Sequence, residues 1–343
     1  MNSLPIAEFL KLRDSLPLVD VRSESEFQLG HIPKAINIAL LKNEERVIVG
    51  TAYKKSGQKK AIKEGFRLVG PRLLSIVEET EKLTNSDDLL VYCWRGGMRS
   101  QNFCRFMKIA KINSHSLSGG YKSYRQVIMD TFRLPFKIIL LGGCTGSGKT
   151  EILNALAKAG EQVLDLEGIA NHKGSAFGGL MMPPQPTTQQ FQNNMFEEIQ
   201  KFDFSKRIWV EDECLAIGKI FLPTSFWKTM TQSPLVTMEV AKSIRIERLV
   251  KEYGGANANE FVTMMQKVVN KLGGQNFIIA KEKFLNGDIA ATMEILLTYY
   301  DKAYLRSMEN KKDRTLFSLP WDGTNGADFA NVLISKLDRN NGL

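Results

Sequence analysis

The sequence predicts an α/β protein of two domains, each built on a parallel sheet, the second ending in a helical tail. Three observations lead there. Short apolar runs alternate with helix-periodic stretches through the first half of the chain, the rhythm of strand–helix–strand units. A glycine-rich loop at residues 143–150 falls between a strand-like run and a helix-like one. The length, 343 residues, suits two domains on a prior of ~100–200 residues each.

The elements follow in order. Residues 18–21 form a short apolar strand, and residues 88–92 form another that runs straight into Cys93. Residues 100–109 have helical spacing, with Ser100 placed to open the helix. Residues 114–117 make a further strand, followed by Gly119 and Gly120. A boundary falls at Leu134 and Pro135, giving domains of residues 1–134 and 135–343. Beyond it come a strand at 137–141, the glycine-rich turn and a helix at 149–159. Residues 163–166, 208–210 and 235–240 supply later strands. From Ser243 onward the pattern is mostly helical, interrupted at Leu272-Gly273-Gly274 and at Asn286-Gly287.

Composition narrows the class. With 43% hydrophobic and 24% charged residues, the chain resembles ordinary globular proteins. No apolar run reaches the ~18 residues of a membrane span. The first ten residues include Glu8 and lack the basic start of a signal peptide. A cytoplasmic protein without a membrane partner is expected. Cys93, Cys104, Cys144 and Cys214 have no metal-ligand spacing, and three histidines do not make a His-rich metal site. Free thiols follow from that.

The charge is lopsided. Residues 1–135 carry 22 Lys and Arg against 14 Asp and Glu, whereas the remainder carries 24 against 23. Nearly all of the net +9 therefore belongs to the first domain. It is densest at residues 54–72, where Lys54, Lys55, Lys59, Lys60, Lys63, Arg67 and Arg72 accompany a single acid, Glu64. Such a run is either a solvated face or a site that neutralises the phosphates of a nucleic acid.

Residues 143–150 read G-C-T-G-S-G-K-T and satisfy G-x-x-x-x-G-K-[ST] in the required strand–loop–helix context. Gly143, Gly146 and Gly148 let the backbone curl so that several N–H groups, that of Ser147 among them, converge on phosphate. The helix adds its positive end. Lys149 reaches the outer phosphates, and the Thr150 hydroxyl is the usual ligand of Mg²⁺. A supporting acid should end a neighbouring strand, and Glu211 or Asp212 is expected there; spacing does not choose between them. On an extended strand Glu211 and Glu213 share one side and Asp212 faces the other.

Residues 93–100 read C-W-R-G-G-M-R-S between a strand and a helix. Backbone N–H groups in such a loop form an anion-binding cup. Arg95, Arg99 and the helix N-terminus favour the thiolate of Cys93, which is the nucleophilic form. Cys104 falls at an apolar helix position and reads as core. The five residues between Cys93 and Arg99 also fit the C-x₅-R pattern of cysteine phosphatases, although Tyr92 stands where those enzymes commonly place His.

Asp20-Val21-Arg22 and Gly30-His31-Ile32-Pro33-Lys34-Ala35-Ile36-Asn37-Ile38 resemble the D-V-R and G-H-I-P-G-A-x-N-I signatures of rhodanese domains. The Cys93 loop is one residue longer than the usual sulfur-transferring loop. With the phosphate loop, the whole is similar to the tRNA 2-selenouridine synthase family. Residues 165–178, Glu211-Asp212-Glu213, residues 272–275 and Tyr299-Tyr300-Asp301 extend the likeness over roughly residues 5–310. It departs at Cys214-Leu215, where the family usually carries Ser and Arg.

The resemblance implies a rhodanese-like N-terminal domain with a parallel sheet and a P-loop NTPase-like α/β domain with a helical tail. It implies a tRNA-modifying transferase acting in two stages at the wobble uridine. The 2-thio sulfur takes a geranyl group from geranyl diphosphate, and selenium from selenophosphate then replaces the S-geranyl group. On that reading no cofactor is tightly bound. The P-loop holds the donor diphosphate, with Mg²⁺ at Thr150 and Asp212. Cys93, Arg95 and Arg99 serve the selenium step, and His172 contacts phosphate or acts as acid and base. Lys54, Lys55, Lys59, Lys60, Lys63 and Arg67 meet tRNA. The alternatives are a sulfurtransferase or phosphatase acting on a small substrate with a regulatory P-loop, and a nucleotide-dependent RNA-binding module with an inert rhodanese fold.

Overall fold

Strands buried on both faces read as continuous apolar runs, and the middle strands of this protein are of that kind. The computed structural model describes residues 3–83 and 88–341. The chain forms two units, Met1–Thr131 and Phe132–Leu343.

In the first unit, β1 (Ser3–Leu4), β2 (Leu18–Asp20), β3 (Ile36–Asn37), β4 (Asp88–Tyr92) and β5 (Asn113–Leu117) form a parallel sheet in the order β1-β5-β4-β2-β3. β4 is therefore the middle strand. Its Leu89 and Val91 join Val19, Phe103 and Met107 in one buried cluster that also contains the Cys93 side chain. Behind the sheet's loop end lies a buried ion pair. Arg22 and Asp20 are 1% and 0% exposed, and Arg22 Nη2 donates to Asp20 Oδ2 at 2.6 Å and to the Gly30 carbonyl at 2.7 Å. The Asn37 amide donates to the carbonyls of Asp20 and Arg22. The Tyr92 hydroxyl accepts the Ile32 N–H at 3.1 Å, and the Arg22 guanidinium sits 4.0 Å from the Tyr121 ring centroid. The D-V-R and G-H-I-P signatures are thus one hydrogen-bonded frame behind the cysteine loop.

In the second unit the sheet runs β12-β11-β6-β8-β7, again parallel throughout. Its strands are β6 (Ile138–Gly143), β7 (Gln162–Leu164), β8 (Ile208–Glu211), β11 (Leu235–Glu239) and β12 (Thr315–Pro320). A small antiparallel hairpin, β9 (Ala216–Ile217) and β10 (Ile220–Phe221), follows β8. β6 is the middle strand, buried along its whole length. The tail is not helical throughout: β12 adds an edge strand beside β11. Edge position explains why it escaped a pattern reading, since only Phe317 of its six residues is buried. The helices Lys242–Tyr253, Ala258–Gln266, Gly274–Leu285 and Ile289–Glu309 enclose a separate core. Phe261 and Phe284 stack within it at 3.9 Å. Among the described residues no helix is long and apolar enough to cross a membrane.

The buried pair generates a stability prediction. Arg22→Met keeps the bulk but leaves the Asp20 carboxylate buried and uncompensated, which costs about 3–5 kcal/mol. Urea titration of the full chain should show the transition of the first unit moving to lower denaturant while that of the second stays put.

Candidate active-site loops

Cys93 follows the last residue of β4, and its helix, Met98–Ile109, begins after the turn. The chain reverses there against residues 119–122. The Tyr121 N–H donates to the Cys93 carbonyl at 2.8 Å and the Lys122 N–H to the Trp94 carbonyl at 3.0 Å. Two glycines make that approach feasible. A Cβ on Gly96 would lie 2.5 Å from the Leu117 carbonyl, and one on Gly120 would strike the backbone of Cys93, Arg95 and Gly96. Both have positive φ, 66° and 61°, which glycine alone adopts without strain. The Cys93 Sγ lies 3.2 Å from the Ser100 hydroxyl, itself donating to the Gly97 carbonyl. The sulfur is therefore held at the amino end of the Met98–Ile109 helix, with the side chain buried.

The two arginines of the loop part company. Arg95 is exposed. Arg99 is turned to Glu26, its Nη1 and Nη2 donating at 2.5 and 3.2 Å. A cysteine phosphatase needs that arginine on the phosphate within the cup, so the Glu26 pair counts against the C-x₅-R reading. Cys104 packs in the core, and burial raises its pKa. Cys144 is likewise pushed up by burial.

The second loop leaves β6 at Gly143 and enters the helix Lys149–Lys158. Gly146 and Gly148 have φ of 79° and 82°. The Lys149 ammonium donates to the Gly143 carbonyl at 3.1 Å, folded over the loop it would serve. Ser147 is buried, and its hydroxyl has no hydrogen-bond partner among the described residues. Arg245, absent from the sequence reading, braces the loop from outside. It donates to the Thr145 carbonyl at 3.3 Å and is gripped by Asp301 at 2.7 and 2.8 Å. The Tyr299-Tyr300-Asp301 run supplies that grip.

The carboxylate beside Lys149 is that of Glu167, and the two acids between which spacing did not choose are otherwise engaged. Asp212 is engaged by Lys311 at 2.6 Å and Arg314 at 3.7 Å. The acid that the Thr150 hydroxyl reaches is Glu167, at 3.5 Å. Glu211 is fully buried, its Oε2 accepting the Leu166 N–H at 3.1 Å while its Oε1 has no partner among the described residues. Burial, reinforced by Asp165 and Glu167, raises the Glu211 pKa well above the carboxylate range. Glu167 is pushed up to about 8 by burial and by Glu213, against the pull of Lys149. Gly174, at φ 64°, lets the chain close over this pair, since any Cβ there would strike both Glu213 and Glu167.

His172 is buried, and its Nδ1 has no hydrogen-bond partner among the described residues. Its ring is wedged between Gly178 and Gly218, and burial lowers its pKa. Gln185 ties the same segment to the β9–β10 hairpin, donating to the Ala170 and Ile217 carbonyls and accepting the Lys219 N–H. Cys214, where the sequence departs from the family pattern, is exposed just before that hairpin.

The basic segment lies on the helix Asn43–Val69, broken at Gly57. Lys54, Lys55, Lys59, Lys60 and Lys63 are exposed along it. Arg67 is paired with Glu64 at 2.8 Å, and Arg72 with Glu45 at 2.5 Å. The charge open to a partner is therefore the five lysines.

A rhodanese-like sheet bearing a cysteine loop, joined in one chain to a sheet bearing a phosphate loop, defines a two-domain group-transfer enzyme. Residues 6–127 match the family model for the rhodanese-like domain, and residues 136–324 match that for the tRNA 2-selenouridine synthase AAA domain. The tRNA 2-selenouridine synthase of Sulfurovum sp. (strain NBC37-1) is 34% identical over 339 residues, covering 89% of this chain and 92% of its own. That of Shewanella piezotolerans is 34% identical over 92% of this chain and 96% of its own, and that of Nitrosomonas europaea 30% over 88% and 91%. The chain belongs to the tRNA 2-selenouridine synthase family.

Glu167 yields a test of the charge arrangement. Its folded pKa stands above the ordinary value of 4.5, so its contribution to stability is complete below about pH 4.5 and is lost as pH rises through about 8. Unfolding free energies measured between pH 5 and 8.5 (a window spanning the shift) should fall more steeply for the wild type than for Glu167→Gln, which cannot ionise. Parallel curves would mean that Glu167 is already ionised in the folded protein.

Proposed function

We propose that this protein geranylates the 2-thio sulfur of a tRNA wobble uridine and then exchanges the S-geranyl group for selenium. In the first stage the sulfur bonds to the allylic carbon of geranyl diphosphate and diphosphate departs. In the second, the selenium of selenophosphate bonds to the ring carbon and the sulfur leaves with its geranyl group as the thiolate; water then takes the phosphoryl group from selenium, breaking the Se–P bond and releasing phosphate. The observation that carries the reading is the pair of anion-binding loops, each on the middle strand of its own sheet and only one of them bearing a thiol at a helix N-terminus. The phosphate loop suits a diphosphate leaving group, with Lys149 reaching its oxygens. Mg²⁺, where used, would be held by Thr150 with Glu167. Among the described residues no cluster of three or more His, Cys, Asp or Glu forms a metal cage. The Cys93 loop suits the tetrahedral anion of selenophosphate, and the five exposed lysines suit the RNA backbone.

Two single variants separate the stages. Cys93→Ala should bind tRNA and accumulate the S-geranyl nucleoside without selenium. Lys149→Ala should lose geranylation by about 10²-fold or more, while still selenating tRNA supplied already geranylated. Nucleoside mass spectrometry, with each donor omitted in turn, reads both. Full selenation by Cys93→Ala, or unimpaired geranylation by Lys149→Ala, would overturn the corresponding assignment.

The lysines are tested by salt. Each phosphate contact contributes about 0.7 to the slope of log affinity on log salt for single strands and about 0.9 for a duplex. Lys59→Glu, Lys60→Glu and Lys63→Glu combined should weaken tRNA binding and flatten that slope by about 2–3. An unchanged slope would remove this helix from the RNA site.

A further inference from the structure

One cavity is used by neither stage as described. The helix Asn43–Val69 and the helix Met98–Ile109 that follows the Cys93 loop leave between them a space of about 150 Å³. Buried or half-buried apolar residues, Leu41, Val69 and Phe106 among them, form its walls. Around its opening Tyr53, Phe66 and Met98 are 57%, 63% and 42% exposed, three large apolar side chains facing water at one place. Surface of that kind marks a binding site more often than chance. Gly65 also lines the space, and a Cβ built on it meets nothing within 4 Å.

We propose that this cavity receives the hydrocarbon group carried on the tRNA sulfur, and so presents the S-alkylated base to the Cys93 loop. The inference rests on the two-stage reading above. Size supports it: an apolar cavity of roughly 150 Å³ accepts a six-carbon hydrocarbon, and the apolar rim lengthens the track toward a chain of about ten carbons. Location supports it, because Met98 and Arg99 belong both to the cavity wall and to the cysteine loop's helix. Charge selects the occupant. The helix that forms one wall also carries Lys54, Lys55, Lys59, Lys60 and Lys63. A second copy docking here face to face would set these lysines against their own kind, whereas RNA bearing an apolar group satisfies the charged helix and the cavity together.

Gly65→Leu is the test, since it places an isobutyl group in open space on a helix with ordinary backbone angles and should not disturb folding. Gly65→Ala leaves most of the space. Gly50→Leu, on the same helix and outside the cavity, is the control. The probes are two anticodon stem-loop RNAs, identical except that one carries S-geranyl-2-thiouridine and the other 2-thiouridine. Binding is read by fluorescence anisotropy and oligomeric state by sedimentation. The wild type, Gly65→Ala and Gly50→Leu should prefer the geranylated RNA by about tenfold or more, the order expected from burying a few methylene groups. Gly65→Leu should lose that preference while binding the 2-thiouridine RNA as before. Retention of the preference by Gly65→Leu, or its absence in the wild type, overturns the proposal. So does a change of oligomeric state in Gly65→Leu without a change in preference, which would make the cavity a contact between copies. The two-stage reading fails separately, in nucleoside analysis, if no S-geranyl or seleno product forms.

Discussion

A backbone that leaves the middle strand of a parallel sheet and turns at once into a helix has almost no room for side chains on the inside of the turn. Both reactive loops of this protein hang on that constraint. β4 and β6 occupy the same middle position in their sheets, and each ends in a glycine-rich reversal. In the first unit the reversal is so tight that the Gly96 and Gly119–Gly120 segments touch backbone to backbone. The Asp20–Arg22 pair and the Tyr92–Ile32 bond fix the frame behind it. What this geometry delivers is a backbone fixed in its turns at the ends of both strands, with the Ser147 N–H bonded to the Cys144 carbonyl at 3.0 Å in the second.

The second unit solves a different difficulty, which is keeping a cation ready without a ligand. Lys149 stands beside Glu167, whose ionisation would offset its positive charge. Burial raises the pKa of Glu167 and of the neighbouring Glu211, which disfavours their charged forms. Asp212 is drawn off by Lys311 and Arg314. The acids near the phosphate loop are thus buried or paired, although the sequence around it is rich in them.

The strands that frame the loops were legible because they are buried and read as unbroken apolar runs. The loops were legible because their glycines and basic residues recur at fixed spacings. Residues 315–320 were not, since an edge strand with one buried position carries little pattern. Spacing along β8 left Glu211 and Asp212 equal, because the choice is made by Lys311, distant in sequence. Glu167 went unremarked for the same reason: its importance comes from Thr150 and Glu213, reached only when the chain folds back at Gly174. His172 sits in a run that looks catalytic, yet the glycines beside it serve to admit its ring into the interior.

The grip of Asp301 on Arg245 sets an order of assembly. A chain emerging from the ribosome displays residues 143–150 long before the helix Ile289–Glu309 that carries Asp301, and β12 comes later still. The partners of the cysteine loop described above, Glu26 and residues 117–122, all precede Thr131. Domains generally fold in the order of synthesis. The Cys93 loop is therefore finished early in translation, and the phosphate loop remains unbraced until nearly the whole protein has been made.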